Sequence, residues 1–210
     1  MKRKNIFAFC FNLFLIISEV IALIFMIVDN PHPSTFKYFT GDSNIVLLIA
    51  VAISFSYDCL LLKNKIKQMP KWVDVVKLVA TTAVTVTMFV TVFFLTPTFI
   101  INKPQDTKVL YLGANLIHHI VCPVLAIITY VLFENRKDIK IVNTIYGLVP
   151  TLIYGIYYLI MAYTTSNADW YGLCAYGTIA TVFILIGLLG FNYLFSWLLW
   201  LGNKKINVIK

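Results

Sequence analysis

A threonine, a glycine and an asparagine occur together where the second apolar run of the sequence begins. Thr40 and Asn44 are four residues apart, so a helix places both on one face. Gly41 lies between them and allows another group to approach the backbone beside Thr40. A threonine hydroxyl becomes a nucleophile when a base takes its proton, whereas many threonines at helix ends only hydrogen-bond along the helix. Both roles are open for Thr40.

Two adjacent histidines in the fourth apolar run supply a candidate base. Asn115, His118, His119 and Cys122 follow the i, i+3, i+4, i+7 spacing of one helix face. Adjacent side chains point about 100° apart, so only one histidine can face a given partner while the other contacts a neighbouring helix. Pro123 cannot donate to the carbonyl of His119 and leaves it free. Histidine titrates near neutral pH and can act as a general base, so a Thr–His hydrolytic pair is predicted, with an interhelical hydrogen bond as the alternative.

Two acids also lie inside apolar runs. Glu19 is near the middle of the first run, where an acid must pair or be protonated. It could orient the histidine, balance its charge, or bond a neighbour as a neutral acid. Asp58 is near Lys63 and Lys65 at the end of the second run and is predicted to pair with a lysine rather than to do chemistry.

The composition shows what must position these residues. Hydrophobic residues make up 60% of the 210 residues and charged residues only 12%, whereas soluble domains have about 45–50% and about 25%. The apolar runs cover residues 6–28, 38–62, 73–95, 109–133, 141–163 and 176–201. Each is close to the ~20 residues that a helix needs to span a bilayer. Because a lipid-exposed backbone must satisfy its own hydrogen bonds, the prediction is an all-α bundle of six transmembrane helices in one domain.

Basic residues predict the orientation of this bundle. If successive runs cross in opposite directions, all but Lys37, Lys103 and Lys108 of the 17 basic residues fall on one side. That side carries Lys2, Arg3, Lys4, Lys63, Lys65, Lys67, Lys71, Lys77, Arg136, Lys137, Lys140, Lys204, Lys205 and Lys210. Cytoplasmic segments are enriched in Lys and Arg, so both termini are predicted to be cytoplasmic. The same rule explains the net charge of +8 without a nucleic-acid partner.

No metal site is predicted from the sequence. The four cysteines are far apart without a CxxC pair, which argues against zinc. The adjacent histidines also do not converge on one ion as i, i+4 histidines do.

Three short motifs resemble those of a known family. They are Lys37-Tyr38-Phe39-Thr40 at the start of the second run, a histidine shortly before Pro123, and the aromatic pair Trp170-Tyr171. The sequence resembles the androgen-induced membrane proteins of the FAR-17a type and, through Gly41-Asp42-Ser43-Asn44, their bacterial six-span relatives. It departs from the family pattern after the aromatic pair, where Gly172-Leu173 replaces Tyr-Pro.

The resemblance implies an activity. Animal members of this family are threonine hydrolases of lipid esters, notably fatty acid esters of hydroxy fatty acids. Thr40 is then the nucleophile, and a histidine is its partner. Counting back from Pro123, the animal pattern selects His118. The bacterial pattern and the count on from Asn115 select His119, which we prefer. The family likeness implies that the reaction needs no metal or organic cofactor. It also implies that membrane lipids and a fatty-acyl ester are the partners, and that the protein lies in a bacterial plasma membrane.

Two further classes of function compete with a hydrolase. In the hydrolase, Asn44, Asn115 or backbone amides near Gly41 would stabilise the oxyanion. A small proton-coupled transporter or membrane ligand sensor would instead use Glu19 with the His118/His119 cluster, and its polar groups should reach both faces of the bundle. In an accessory protein, the polar residues would only specify helix packing.

Overall fold

Six long apolar helices form the protein. The computed structural model describes residues 2–29, 37–134, 138–165 and 168–208. The helices that are long and apolar enough to cross a membrane are Arg3–Val28, Phe39–Leu62, Lys71–Asn102, Ala114–Phe133, Ile141–Thr164 and Thr178–Asn207, called here the first to sixth spans. No strand occurs within the described residues. The predicted all-α, six-span membrane fold is confirmed, while Arg136, Lys137 and Lys210 lie outside the described residues.

Two spans differ from the sequence prediction at the end that lies near Thr40. The third span was expected to end at Leu95 but continues to Asn102. The fourth was expected to begin at Val109 but begins at Ala114, because Gly113 has a φ of +55° that interrupts the helix. A 3₁₀ helix, Pro104–Tyr111, connects the two spans.

Several spans change helical type along their length. The third contains an α-helix, Lys71–Val90, a π turn, Thr91–Leu95, and an α-helix, Thr96–Asn102. The fourth contains α-helix Ala114–Leu116, π turn Ile117–Val121, α-helix Cys122–Ile128 and π turn Thr129–Phe133. The fifth joins 3₁₀ helix Ile141–Leu148 to α-helix Val149–Thr164, and a 3₁₀ turn, Cys174–Tyr176, precedes the last α-helix, Thr178–Val208. The first and second α-helices are Lys2–Asp29 and Phe39–Leu62.

The third span is the centre of the bundle. It packs against the second, fourth, fifth and sixth spans, and 56% of its most apolar stretch is buried, against 11% for the fifth span. Its threonines can enter this interior because they bond carbonyls of their own helix, as Thr82 does to Leu78 (2.8 Å) and Thr85 to Thr81 (2.7 Å).

Both ends of the described chain lie on one side of the bundle. Lys4 Nζ donates to Asn207 Oδ1 at 2.6 Å. We call this side the terminal face, and the side where the second span begins the opposite face.

An apolar layer crosses the middle of the first four spans. Its residues are Leu15, Leu47, Ala50, Val51, Ala80, Val84, Cys122 and Ala126, all at most 1% exposed. On each span, polar residues occur to both sides of this layer. The layer therefore separates a polar group near the opposite face from another near the terminal face.

The polar group near the terminal face, which we call the Asn12 cluster, consists of Asn12, Asp58, Lys77 and Glu134. The Asn12 amide donates to Asp58 Oδ2 (2.8 Å) and Glu134 Oε1 (3.2 Å), and its oxygen accepts from Lys77 Nζ (2.7 Å). Lys77 also lies 3.6 Å from Glu134 Oε1. The sequence placed Lys77 with the basic residues of a connecting segment, but it is fully buried within the third span.

Candidate active site

Thr40 and His119 are brought into contact near the opposite face. Thr40 Oγ1 lies 3.3 Å from His119 Nε2. Thr40 is the second residue of its helix and His119 the sixth of its span. Both residues therefore lie within the first two turns of their spans, near the opposite face. It joins the start of the second span to the start of the fourth.

A hydrogen bond at the other ring nitrogen of His119 determines which nitrogen can act as a base. His119 Nδ1 lies 2.8 Å from the carbonyl oxygen of Leu110. A carbonyl only accepts hydrogen bonds, so Nδ1 carries the hydrogen in neutral histidine and Nε2 presents its lone pair. That lone pair faces the Thr40 hydroxyl, as removal of its proton requires.

Asn115 holds the segment that orients His119. Its amide donates to the carbonyl of Val109 at 2.9 Å, next to Leu110 in the 3₁₀ helix. The sequence proposed Asn115 as an oxyanion donor, whereas in the structure its amide braces the backbone behind the histidine. Its contribution to the site is positional.

His118 faces a different helix from His119, as the angle between adjacent residues predicts. His118 Nε2 lies 3.4 Å from Glu19 Oε2, and the two side chains are at most 1% exposed. Glu19 therefore pairs with His118 and not with the histidine that contacts Thr40. Neither carboxylate oxygen nor His118 Nε2 makes a hydrogen bond of good geometry within the described residues.

The π turn Ile117–Val121 changes which carbonyl Pro123 leaves free. Cys122 N donates to Ile117 O, five residues back. With the same five-residue spacing, Pro123 would donate to the carbonyl of His118, and because proline has no N–H, the His118 carbonyl, rather than that of His119, is left free. Asn44 Nδ2 approaches that carbonyl at 3.4 Å and also donates to Thr40 O at 2.7 Å. Asn44 thus ties Thr40 to the histidine segment.

The sequence-predicted oxyanion donors are already in use. Both Asn44 amide hydrogens are directed at the carbonyls of Thr40 and His118. The Gly41 amide donates to Tyr38 O at 3.0 Å, within the first turn of its helix. Glu19 is beside His118. The amide groups of Asn44, Gly41 and Asn115 each donate to a backbone carbonyl, so they do not converge as donors on one point.

Further hydroxyls line the site, and the sequence analysis missed them. Ser43 Oγ lies 2.9 Å from Thr87 Oγ1 and donates to Thr40 O at 3.1 Å. Thr91 is 1% exposed, and its hydroxyl has no hydrogen-bond partner within the described residues. The close spacing of Thr87 and Thr91 on the third span was the available signal, because it puts both on one helix face.

Aromatic residues from the fifth span and the segment after it cover the start of the second span. The backbone N–H of Phe39 donates to the Tyr171 hydroxyl at 3.0 Å. Tyr154 donates to Lys37 O at 2.7 Å and accepts from Trp170 Nε1 at 3.0 Å. The aromatic pair Trp170-Tyr171 therefore packs directly beside the residues that precede Thr40.

The fold and the site define the class of protein: a multi-pass integral membrane protein whose polar residues meet near one face of a six-helix bundle. No group of three or more His, Cys, Asp or Glu side chains among the described residues is arranged to hold a metal ion. No protein-family model, curated protein or solved structure matches the chain.

Proposed function

We propose that this protein is a membrane-embedded hydrolase of lipid esters, with Thr40 as nucleophile and His119 as general base. The observation that carries this proposal is the alignment of Thr40 Oγ1, His119 Nε2 and, behind the ring, Leu110 O, at 3.3 Å and 2.8 Å. A nucleophile, a base and a group that orients the base are the parts that activate a hydroxyl.

The reaction would proceed in two steps. His119 Nε2 takes the proton of the Thr40 hydroxyl as its oxygen attacks the acyl carbon, and the tetrahedral intermediate forms. The bond to the alcohol oxygen then breaks, and His119 returns the proton to the departing alcohol. In the second step His119 deprotonates a water molecule, which attacks the acyl-threonine and releases the fatty acid, and the proton returns to Thr40.

The position of the pair favours a lipid substrate. Thr40 lies in the first turn of a transmembrane helix, so an acyl chain lying along the bundle can bring its ester to this depth. The apolar layer of the first four spans lies below the site, between it and the Asn12 cluster.

The motif resemblance to FAR-17a-type proteins supports the same reaction and the fatty acid esters of hydroxy fatty acids as substrates. By the positive-inside rule, the terminal face would be cytoplasmic, and by the likeness to the bacterial branch the membrane would be a bacterial plasma membrane. Cysteines introduced singly into residues 63–71 test the orientation. Labelling of these cysteines by an impermeant thiol reagent from outside the cell would contradict it.

The activity is tested with purified protein in detergent. Fatty-acid release is measured from a panel of lipid esters that includes esters of hydroxy fatty acids. We expect Thr40→Ala and His119→Ala to abolish release, while His118→Ala retains part of it. Thr98→Ala is the matched control, because Thr98 is exposed and bonds only within its own helix. A folded wild-type protein that hydrolyses none of the esters would exclude the proposal.

One observation favours the transporter or sensor as a second candidate. Glu19 and His118 form a buried pair, and buried ionisable groups often mark proton pathways in membrane proteins. Proton uptake into proteoliposomes, lost in Glu19→Gln and retained in Thr40→Ala, would support this candidate against the hydrolase.

A further inference from the structure

The site needs a hydrogen-bond donor for the charge that acyl transfer creates. Attack on an ester moves negative charge to the carbonyl oxygen, and fixed donors aimed at that oxygen commonly give the largest single catalytic effect. The amide hydrogens of Asn44 and Gly41 are already donated to backbone carbonyls. A donor has to come from another element near Thr40.

Tyr171 brings a hydroxyl to this place from the far end of the chain. Its oxygen accepts the N–H of Phe39 at 3.0 Å, and Phe39 directly precedes Thr40. Side chains on a helix lean towards its N-terminus, so the Thr40 hydroxyl leans towards the end where the Phe39 N–H and the Tyr171 hydroxyl meet. The two hydroxyls thus lie at the same end of the second span.

The Tyr171 hydroxyl keeps its hydrogen available for donation. Burial, with smaller contributions from Tyr38 and Asp42, raises the pKa of Tyr171 above its ordinary value, so the group is protonated at neutral pH. Tyr171 shares a side-chain hydrogen bond with Tyr154. Because the Tyr154 hydroxyl donates its own hydrogen to Lys37 O, Tyr171 is the donor of this bond, and its O–H can turn from Tyr154 to the oxygen of a bound substrate. The N–H bond that its oxygen receives strengthens the O–H as a donor.

The segment that carries Tyr171 is held rigidly. The Asp169 carboxylate accepts from the backbone N–H groups of Leu173 and Cys174, each at 3.0 Å, and from the Tyr158 hydroxyl. Gly172 has a φ of +68°, which allows the chain to turn directly after Tyr171. A donor fixed in this way needs little reorganisation when charge develops.

We propose that the Tyr171 hydroxyl is a further catalytic group that donates a hydrogen bond to the oxyanion formed when Thr40 attacks an ester. This inference rests on the proposed hydrolase function. In the tetrahedral intermediate the carbonyl oxygen carries the charge, the Tyr171 hydrogen bonds to it without being transferred, and the bond is released when the C–O bond to the alcohol breaks.

The test compares Tyr171→Phe with wild type in the ester assay. Phenylalanine keeps the ring packing and removes only the hydroxyl. The control is Tyr157→Phe. The Tyr157 ring lies 6.1 Å from the ring of Trp170, but the Tyr157 side chain is exposed. Three quantities are measured for each protein: kcat, KM, and the affinity for a fatty-acyl trifluoromethyl ketone, which forms a tetrahedral adduct with a hydroxyl nucleophile.

We expect Tyr171→Phe to lower kcat by about 10²-fold, as loss of one oxyanion donor does, with KM nearly unchanged. The affinity for the ketone should fall by the same factor as kcat/KM, and Tyr157→Phe should match wild type. A kcat within about threefold of wild type, or a loss confined to KM, would overturn the role of Tyr171 while leaving the hydrolase proposal intact. Absence of hydrolysis in the wild type would remove the hydrolase proposal and this role together.

Discussion

Replacing Asn12 by leucine tests whether the Asn12 cluster holds the first four spans together. Asn12 is fully buried, and its amide group connects the first span to Asp58, Lys77 and Glu134 on or next to the second, third and fourth. Leucine has the same branched arrangement of four side-chain heavy atoms and is larger than asparagine, so the change removes hydrogen bonds without leaving a cavity. The three charged partners stay buried and lose a bond each.

The size of the effect follows from the bonds lost. Interhelical hydrogen bonds in a membrane protein contribute about 0.6 kcal/mol on average and about 1.7 kcal/mol at most. Three such bonds give a loss of about 2–5 kcal/mol in the free energy of unfolding, the upper end being favoured because the partners are charged. Unfolding is followed by circular dichroism while SDS is titrated into mixed micelles.

Asn102→Leu provides the matched control for this experiment. Asn102 is exposed, and its amide bonds only to Thr98 O of the same helix, at 3.1 Å. Its replacement should change the free energy of unfolding by less than about 0.5 kcal/mol, as surface substitutions usually do. If Asn12→Leu were no more destabilising than Asn102→Leu, the cluster would not be a structural connection and our reasoning about it would be wrong.

Three further changes give distinct results. Asn44→Leu removes the amide that connects Thr40 to the His118 carbonyl, so kcat/KM for ester hydrolysis should fall about 10-fold or more through misplacement of Thr40, with helicity retained by circular dichroism. Glu19→Leu leaves His118 buried without its carboxylate and should lower the free energy of unfolding by about 3–5 kcal/mol; adding His118→Leu should recover most of this loss, and failure to recover would refute the pair. Gly147→Ala places a methyl group 2.5 Å from Ser196 Oγ and should cost about 1–3 kcal/mol, measured by the same SDS titration, with Ser196→Gly in the same chain restoring stability.

The fold could be predicted because each span carries its own signal. Six apolar runs of sufficient length require six helices in lipid, and the structure has them. The ends of the third and fourth spans were missed for a local reason. Apolar residues resume at Val109, inside the 3₁₀ helix Pro104–Tyr111, and continue past Gly113, so hydrophobicity alone does not mark the break at Gly113.

The site was predicted only as far as helix periodicity reaches. The four-residue spacing of Thr40 and Asn44, and the divergence of the two histidines, follow from one helix at a time. The contacts of Tyr171 with Phe39 join residues far apart in the chain, and no local pattern encodes them. Asn12, in contrast, could have been selected from the sequence, because the rule that polar residues in apolar runs are costly applies to it as it does to Glu19.

The division of polar residues into two groups bears on how such a bundle can work. Glu19 and Asn12 lie seven residues apart on the first span, about 10 Å along a helix, with Leu15 of the apolar layer between them. Asn12 bonds to Asp58, Lys77 and Glu134, whereas Glu19 pairs with His118, so the two groups have different partners. We therefore expect the effects of Asn12→Leu and of Glu19→Leu on the free energy of unfolding to add within about 0.5 kcal/mol in the double variant, because the two residues are far apart and have different partners.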